Sequence, residues 1–260
     1  MVKEIVKDKF LKEIWDEDPL QPIMDIIHSS IMKYDLETTR IGLTEVTKRV
    51  IEIIDPDIEE KISMSFCDHL RAVANLAARI GDEQPIVYVI RKLATFMKSQ
   101  AEKKLEYASM QAIYSIGTVG ETAVKKGLEY ATWQVAWCLG EVGKTALNEG
   151  FNKGAADVAW YLGEVGKIAA KKELTDEAMN VEVVSSLVTI GITALKKEGS
   201  PFTPIWQVTS SLAELTLLNE EIVKTAIQNY ESKLEEQDRD SFQKFMRIYE
   251  QELEKRRAEK

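Results

Sequence analysis

A chain of 260 residues with 45% in the apolar set can bury a sizeable core, which excludes a disordered polypeptide. Its 43 acidic against 34 basic residues give a formal charge of -9 and a pI near 5.1, so the average field repels phosphate backbones and anionic membranes and disfavours a nucleic-acid partner. The two cysteines, Cys67 and Cys138, form neither a CxxC pair nor a zinc-type spacing, as expected of a reducing compartment.

At the N-terminus, MVKEIVKDKFLKEIWDED is too charged for a signal peptide, and no run reaches the roughly 18 apolar residues of a spanning helix. The expected location is cytoplasmic. Val2, Val6, Phe10 and Ile14 form the stripe of a first helix, and a second begins after Pro19 or Pro22. TTRIGLTEVTKRV then contains L-x-E-V-x-K, a spelling that returns later in the chain. Residues 1–63 are read as an N-terminal helical cap with an early repeat.

From there the chain repeats. Leu70, Leu93, Ile116, Leu139, Leu162, Leu187 and Leu212 are equivalent positions, separated by 23 residues four times and then by 25 twice. Ala112, Val135, Val158, Val183 and Val208 stand four before this reference; Val119, Val142, Val165, Ile190 and Leu215 stand three after it. Ala123, Ala146, Ala169 and Ala194 stand seven after. Offsets of -4, 0, +3 and +7 trace one face of a helix, so each unit contributes one helix. Around Leu139 only Gln134, Glu141, Lys144 and Thr145 form a polar arc, which predicts neighbours on more than one side.

The pairs Gly117/Gly120, Gly140/Gly143 and Gly163/Gly166 lie inside these helices, where each glycine costs about 1 kcal/mol relative to alanine. Close helix approach is the expected return; a phosphate-cradling loop is disfavoured because helical amides are already bonded. Gly127, Gly150 or Gly154, and Gly199 stand where helices should end. Asp55-Pro56, Ser200-Pro201, Thr203-Pro204 and Asn219 stand where they should begin. Short links require successive helices to run antiparallel. Residues 64–218 thus form the regular array, and 219–260 a charged C-terminal region whose narrow stripe, Phe242, Phe245, Tyr249 and Leu253, either caps the array or pairs with another chain as a homodimer.

Two units of 23 give a helical hairpin close in length to a HEAT or armadillo repeat, and the segment from Met64 to Leu218 resembles that class. No proline-kinked first helix or Asp/Arg ladder accompanies the period. The resemblance implies an all-α fold: antiparallel helices stacked as an α-α superhelix that presents an extended surface to a partner.

Tyr114, Trp137 and Trp160 share the column two before the reference, and Trp133 and Trp206 share another. Such a ladder lines a groove for a partner or ligand, or fills the wedge opposite the glycines. The pairs Lys125/Lys126, Lys171/Lys172 and Lys196/Lys197 fall at helix C-termini, where the macrodipole favours cations without any phosphate partner. Glu141 with Lys144, and Glu164 with Lys167, have ion-pair spacing. The only histidines, His28 and His69, supply no recognisable triad or di-iron pattern, so no catalytic residue, metal or cofactor is expected. The resulting expectation is a non-enzymatic scaffold that binds another protein along one face. The alternatives are a small-molecule or lipid-like ligand in a pocket near the aromatic ladder, and an enzyme using a histidine beside carboxylates.

Overall fold

The computed structural model describes residues 60–172, 177–197 and 202–259. The chain divides into two units, Met1–Asp55 and Pro56–Lys260, and all described residues belong to the second. The expected N-terminal helices and early repeat, His28, the expected caps at Asp55-Pro56, Gly199 and Ser200-Pro201, and the side chain of His69 lie outside them.

All regular structure among the described residues is helical. The helices are α1 (Glu60–Ile80), α2 (Glu83–Glu102), α3 (Glu106–Lys126), α4 (Glu129–Glu149), α5 (Asn152–Lys171), α6 (Glu177–Lys196), α7 (Phe202–Leu218), α8 (Glu220–Glu231) and α9 (Glu236–Ala258). The period has a simple origin: 21 residues of α3 followed by Gly127-Leu128, and 21 of α4 followed by Gly150-Phe151, each make one interval of 23. The two longer intervals put their additional residues into the links after α5 and α6.

The links after α1, α2, α3 and α4 use the same turn. Gly127 (φ 74°) and Gly150 (φ 87°) are left-handed, and the next residue's amide reaches back to Ala123 O at 3.1 Å or Ala146 O at 2.7 Å, closing a Schellman motif. Gly81 (φ 76°) does the same after α1, with Asp82 N bonded to Ala77 O at 3.0 Å. After α2 the equivalent residue is Lys104, left-handed at φ 61° without being glycine. Of the two candidates after α4, Gly150 is therefore the cap. Gly154 lies in the first turn of α5, where a methyl group would stand 3.1 Å from Ile113. Asn219 caps α8 by accepting the Ile222 amide at 3.3 Å, as expected, whereas α7 starts one residue before Thr203.

Helices pack on neighbours one and two places along the chain, so α1, α3, α5 and α7 make one succession and α2, α4 and α6 another. The reference column is fully buried throughout, and the -4, +3 and +7 columns are at most 6% exposed. The glycine pairs show how the units interlock. A methyl on Gly120 would stand 2.5 Å from Val135 of the next helix and 3.3 Å from Val165 of the one after; on Gly143, 3.0 Å from Val158 and 2.6 Å from Ile190; on Gly166, 3.1 Å from Val183 and 2.8 Å from Leu215. The same two columns fill the space above each second glycine. First glycines receive the residue just before the next-but-one reference: Tyr161 over Gly117, Ser186 over Gly140 and Ser211 over Gly163. These contacts run in the same order along α3 and α5, so next-nearest helices are parallel. Those between α4 and α5 (Gly143 with Val158, Gly154 with Ala146) run in reverse, as the short links require.

One residue of the polar arc around Leu139 does not face solvent. Gln134 is buried, because its amide oxygen accepts both Nε (3.1 Å) and Nη2 (3.0 Å) of Arg91 from α2.

The C-terminal stripe is used within the chain. Phe242, Phe245, Tyr249 and Leu253 are buried, with Phe245 filling the space above Gly191 of α6. The Tyr249 hydroxyl is 2.6 Å from that of Thr216, and Arg256 reaches Glu214 at 2.7 Å, Glu252 at 2.8 Å and Ser210 at 2.6 Å. The stripe that raised the question of a homodimer is thus buried against the chain's own α6 and α7.

Candidate functional site

The aromatic column does not form one ladder. Successive helices alternate between the two successions, so Tyr114 (α3) and Trp160 (α5) meet in one cleft while Trp137 (α4) lines another. Nor do these rings fill the wedge above the glycines: Tyr114, Trp137 and Trp160 are 47%, 44% and 43% exposed. The residue that fills the wedge above Gly117 is Tyr161, beside Trp160 in sequence.

The α3–α5 cleft encloses about 630 Å³ and opens to solvent. Tyr107, Tyr114 and Trp160 are its exposed rings, and Tyr161 closes its floor. Tyr161 meets Trp160 edge-on with centroids 4.8 Å apart and Tyr114 at 6.5 Å. The Arg71 guanidinium lies 4.9 Å above the Tyr114 ring and pairs with Asp68 at 2.8 Å. Glu106, Asp157 and Lys153 bring charge to the cleft, with Gln111. Burial raises the Asp157 carboxyl above the usual range, and Lys153 offsets this only in part. Burial, followed by Tyr114, Glu121 and Asp157 and opposed by Arg71, pushes the Tyr161 phenol up to about 12.

The second cleft, about 500 Å³ between α2 and α4, carries Trp133 and Trp137 with Arg91, Lys98, Thr95 and Glu141. Trp133 is half-buried, stacked on Tyr130 at 6.2 Å and packed against Val124 and Ala169. Its column partner Trp206 stands apart on α7, 54% exposed. Glu141 pairs with Lys98 at 3.3 Å across the helices, while Glu164 does pair with Lys167 at 2.5 Å as the spacing predicts.

The terminal lysines serve helix ends. Lys172 donates to Lys125 O, and Lys197 to Leu147 O and to Asn148 O at 2.7 Å, each reaching the C-terminus of the helix two places earlier. They supply donors to carbonyls that the helix leaves unsatisfied. Cys67 and Cys138 are buried and their thiols pushed up to about 12 chiefly by burial, so neither is a ready nucleophile. Among the described residues no three His, Cys, Asp or Glu side chains group to hold a metal, and no helix is long and apolar enough to cross a membrane.

Reading single columns missed Tyr107, Asp157, Arg71 and Tyr161. A signal existed: the cleft is built from the columns nine, five and two before the reference, namely Tyr107, Gln111 and Tyr114 of one unit with Lys153, Asp157 and Trp160 of the next-but-one. Finding it requires knowing that alternate units are neighbours.

Compared with protein-family models, with curated proteins and with solved structures, the chain matches none.

Proposed function

We propose that Pro56–Lys260 is an α-solenoid of HEAT or armadillo type and acts as a non-enzymatic cytoplasmic scaffold, docking another protein on the α3–α5 face. The observation that carries this reading is the open cleft with Tyr107, Tyr114 and Trp160 exposed over a filled interior. Large exposed rings beside polar groups are the usual anchors of a protein interface. The repeat supports the solenoid assignment, since each unit interlocks with the next two through equivalent columns. A ligand pocket among the ladder residues is the competing reading. The filled glycine sites and the distribution of the rings over two open clefts favour the scaffold.

The test is affinity capture from native lysate with wild type, a Tyr114→Ala plus Trp160→Ala variant and a Trp137→Ala variant, each checked by circular dichroism for folding. A specific protein lost with the first variant and retained with the second supports docking at the α3–α5 cleft. Recovery of only a tightly bound small molecule, detected by native mass spectrometry, would favour the pocket.

A further inference from the structure

We propose that the α3–α5 cleft is a socket for an arginine side chain presented by a segment of the partner protein, its guanidinium lying against the exposed Trp160 ring and forked to the Asp157 carboxylate, which precedes it by one turn on α5. This rests on the docking reading above and names the chemistry recognised.

Three observations converge. The walls are aromatic, and ring faces attract cations, most strongly where water is thin. The half-buried carboxylate of the cleft, Asp157, has no hydrogen bond or ion pair among the described residues, and Lys153, one turn earlier on α5, acts on it through its field. A half-buried carboxylate in that state gains most from a cation that brings its own hydrogen bonds. Finally, one ring of the cleft, Tyr114, already carries a guanidinium, that of Arg71, whose charge is paired with Asp68.

Arginine fits better than lysine. A guanidinium is planar, weakly hydrated and able to bond both carboxylate oxygens while lying flat on a ring, whereas an ammonium is compact and strongly hydrated. The overall charge of -9 adds long-range attraction for a basic segment. The second cleft has the opposite character: Arg91, bonded there to the neutral Gln134 amide, and Lys98 stand against the single carboxylate Glu141.

The experiment is a proton–nitrogen NMR titration of the full chain, reading the Trp160 and Trp137 indole N–H signals. The probes are acetyl-Gly-Ser-Ala-Arg-Ala-Ser-Gly-amide and its lysine and citrulline versions. The arginine peptide is expected to shift Trp160 saturably in the millimolar range, about threefold or more tighter than the lysine peptide, leaving Trp137 unmoved. The citrulline peptide, equal in shape but uncharged, and the near-isosteric Asp157→Asn variant should each abolish the response. No saturable Trp160 shift up to roughly 10 mM, equal responses to arginine and citrulline, or parallel movement of Trp137 would overturn the socket. Failure of the docking reading is separable. A captured partner indifferent to Asp157→Asn leaves the scaffold and removes the socket; a specific Trp160 response without any captured partner does the reverse.

Discussion

The middle of the described unit and its C-terminal end solve one packing problem with different chemistry. In α3 to α5 a glycine admits a branched side chain from the helix two places on, and the contact recurs in register because the sequence recurs. At the end, Gly191 of α6 receives Phe245 from α9, a helix outside the repeat, and polar bonds from Tyr249 and Arg256 fix its position. Repetition thus suffices where both sides of a helix meet another unit. The last units need a dissimilar helix, with a polar outer face, to close the exposed apolar side.

Breaking the end contact should have the largest effect. Phe245→Ala removes a fully buried ring and is expected to cost about 3 to 5 kcal/mol, with hydrogen exchange rising first in α9 and α6. Equal acceleration across α3 to α5 would show that cap and array unfold as one. In the middle, Gly117→Ala drives a methyl into the Tyr161 ring. Overpacking of about 1 to 3 kcal/mol, less the roughly 1 kcal/mol helix gain, leaves a net loss of up to about 2 kcal/mol in urea denaturation and shifts the Tyr114 and Trp160 environment. A stabilised variant would mean that the helices are not in close contact there.

The polar side of the cap gives a pH signature. Burial tends to raise the Glu214 carboxyl, but hydrogen bonds from Lys167 and then Arg256 hold it below the usual carboxylate range. Its contribution is therefore complete above the unfolded value of about 4.3 and is lost as pH falls through the lower folded value. Arg256→Ala should flatten this acid loss in thermal melts below about pH 4, while wild type retains it. Unchanged acid slopes would mean that the network does not persist in solution.

The links carry the remaining effects, the smallest of all at Lys104. Gly127→Ala or Gly150→Ala meets open space, so the expected cost of about 1 to 2 kcal/mol is backbone strain alone. Lys104→Gly relieves the same strain but gives up the exposed 2.6 Å pair with Glu149, leaving a gain of a few tenths of a kcal/mol in the melting curve. A clear loss would show that the pair outweighs the strain.

Much of this was legible in the sequence because it depends on periodicity along one helix. Leu139 and its equivalents, and the columns at -4, +3 and +7, are buried as the stripe requires, and a methyl on any glycine of the three pairs would stand within 2.8 Å of a neighbouring side chain. Tertiary structure alone decided which units are neighbours. The hydrophobic period marks a buried face without saying whose side chain fills it, so Tyr114 and Trp160 separate from Trp137 only once helices alternate between two successions. For the same reason Gln134 looked exposed until Arg91 reached it from two helices away, and the C-terminal stripe did not by itself say which helices it meets, α6 and α7. Sequence determined the repeating unit, since helix length, turn and apolar stripe are local properties. The cleft with Tyr107, Asp157 and Trp160 is a property of two such units side by side, and only packing brings them together.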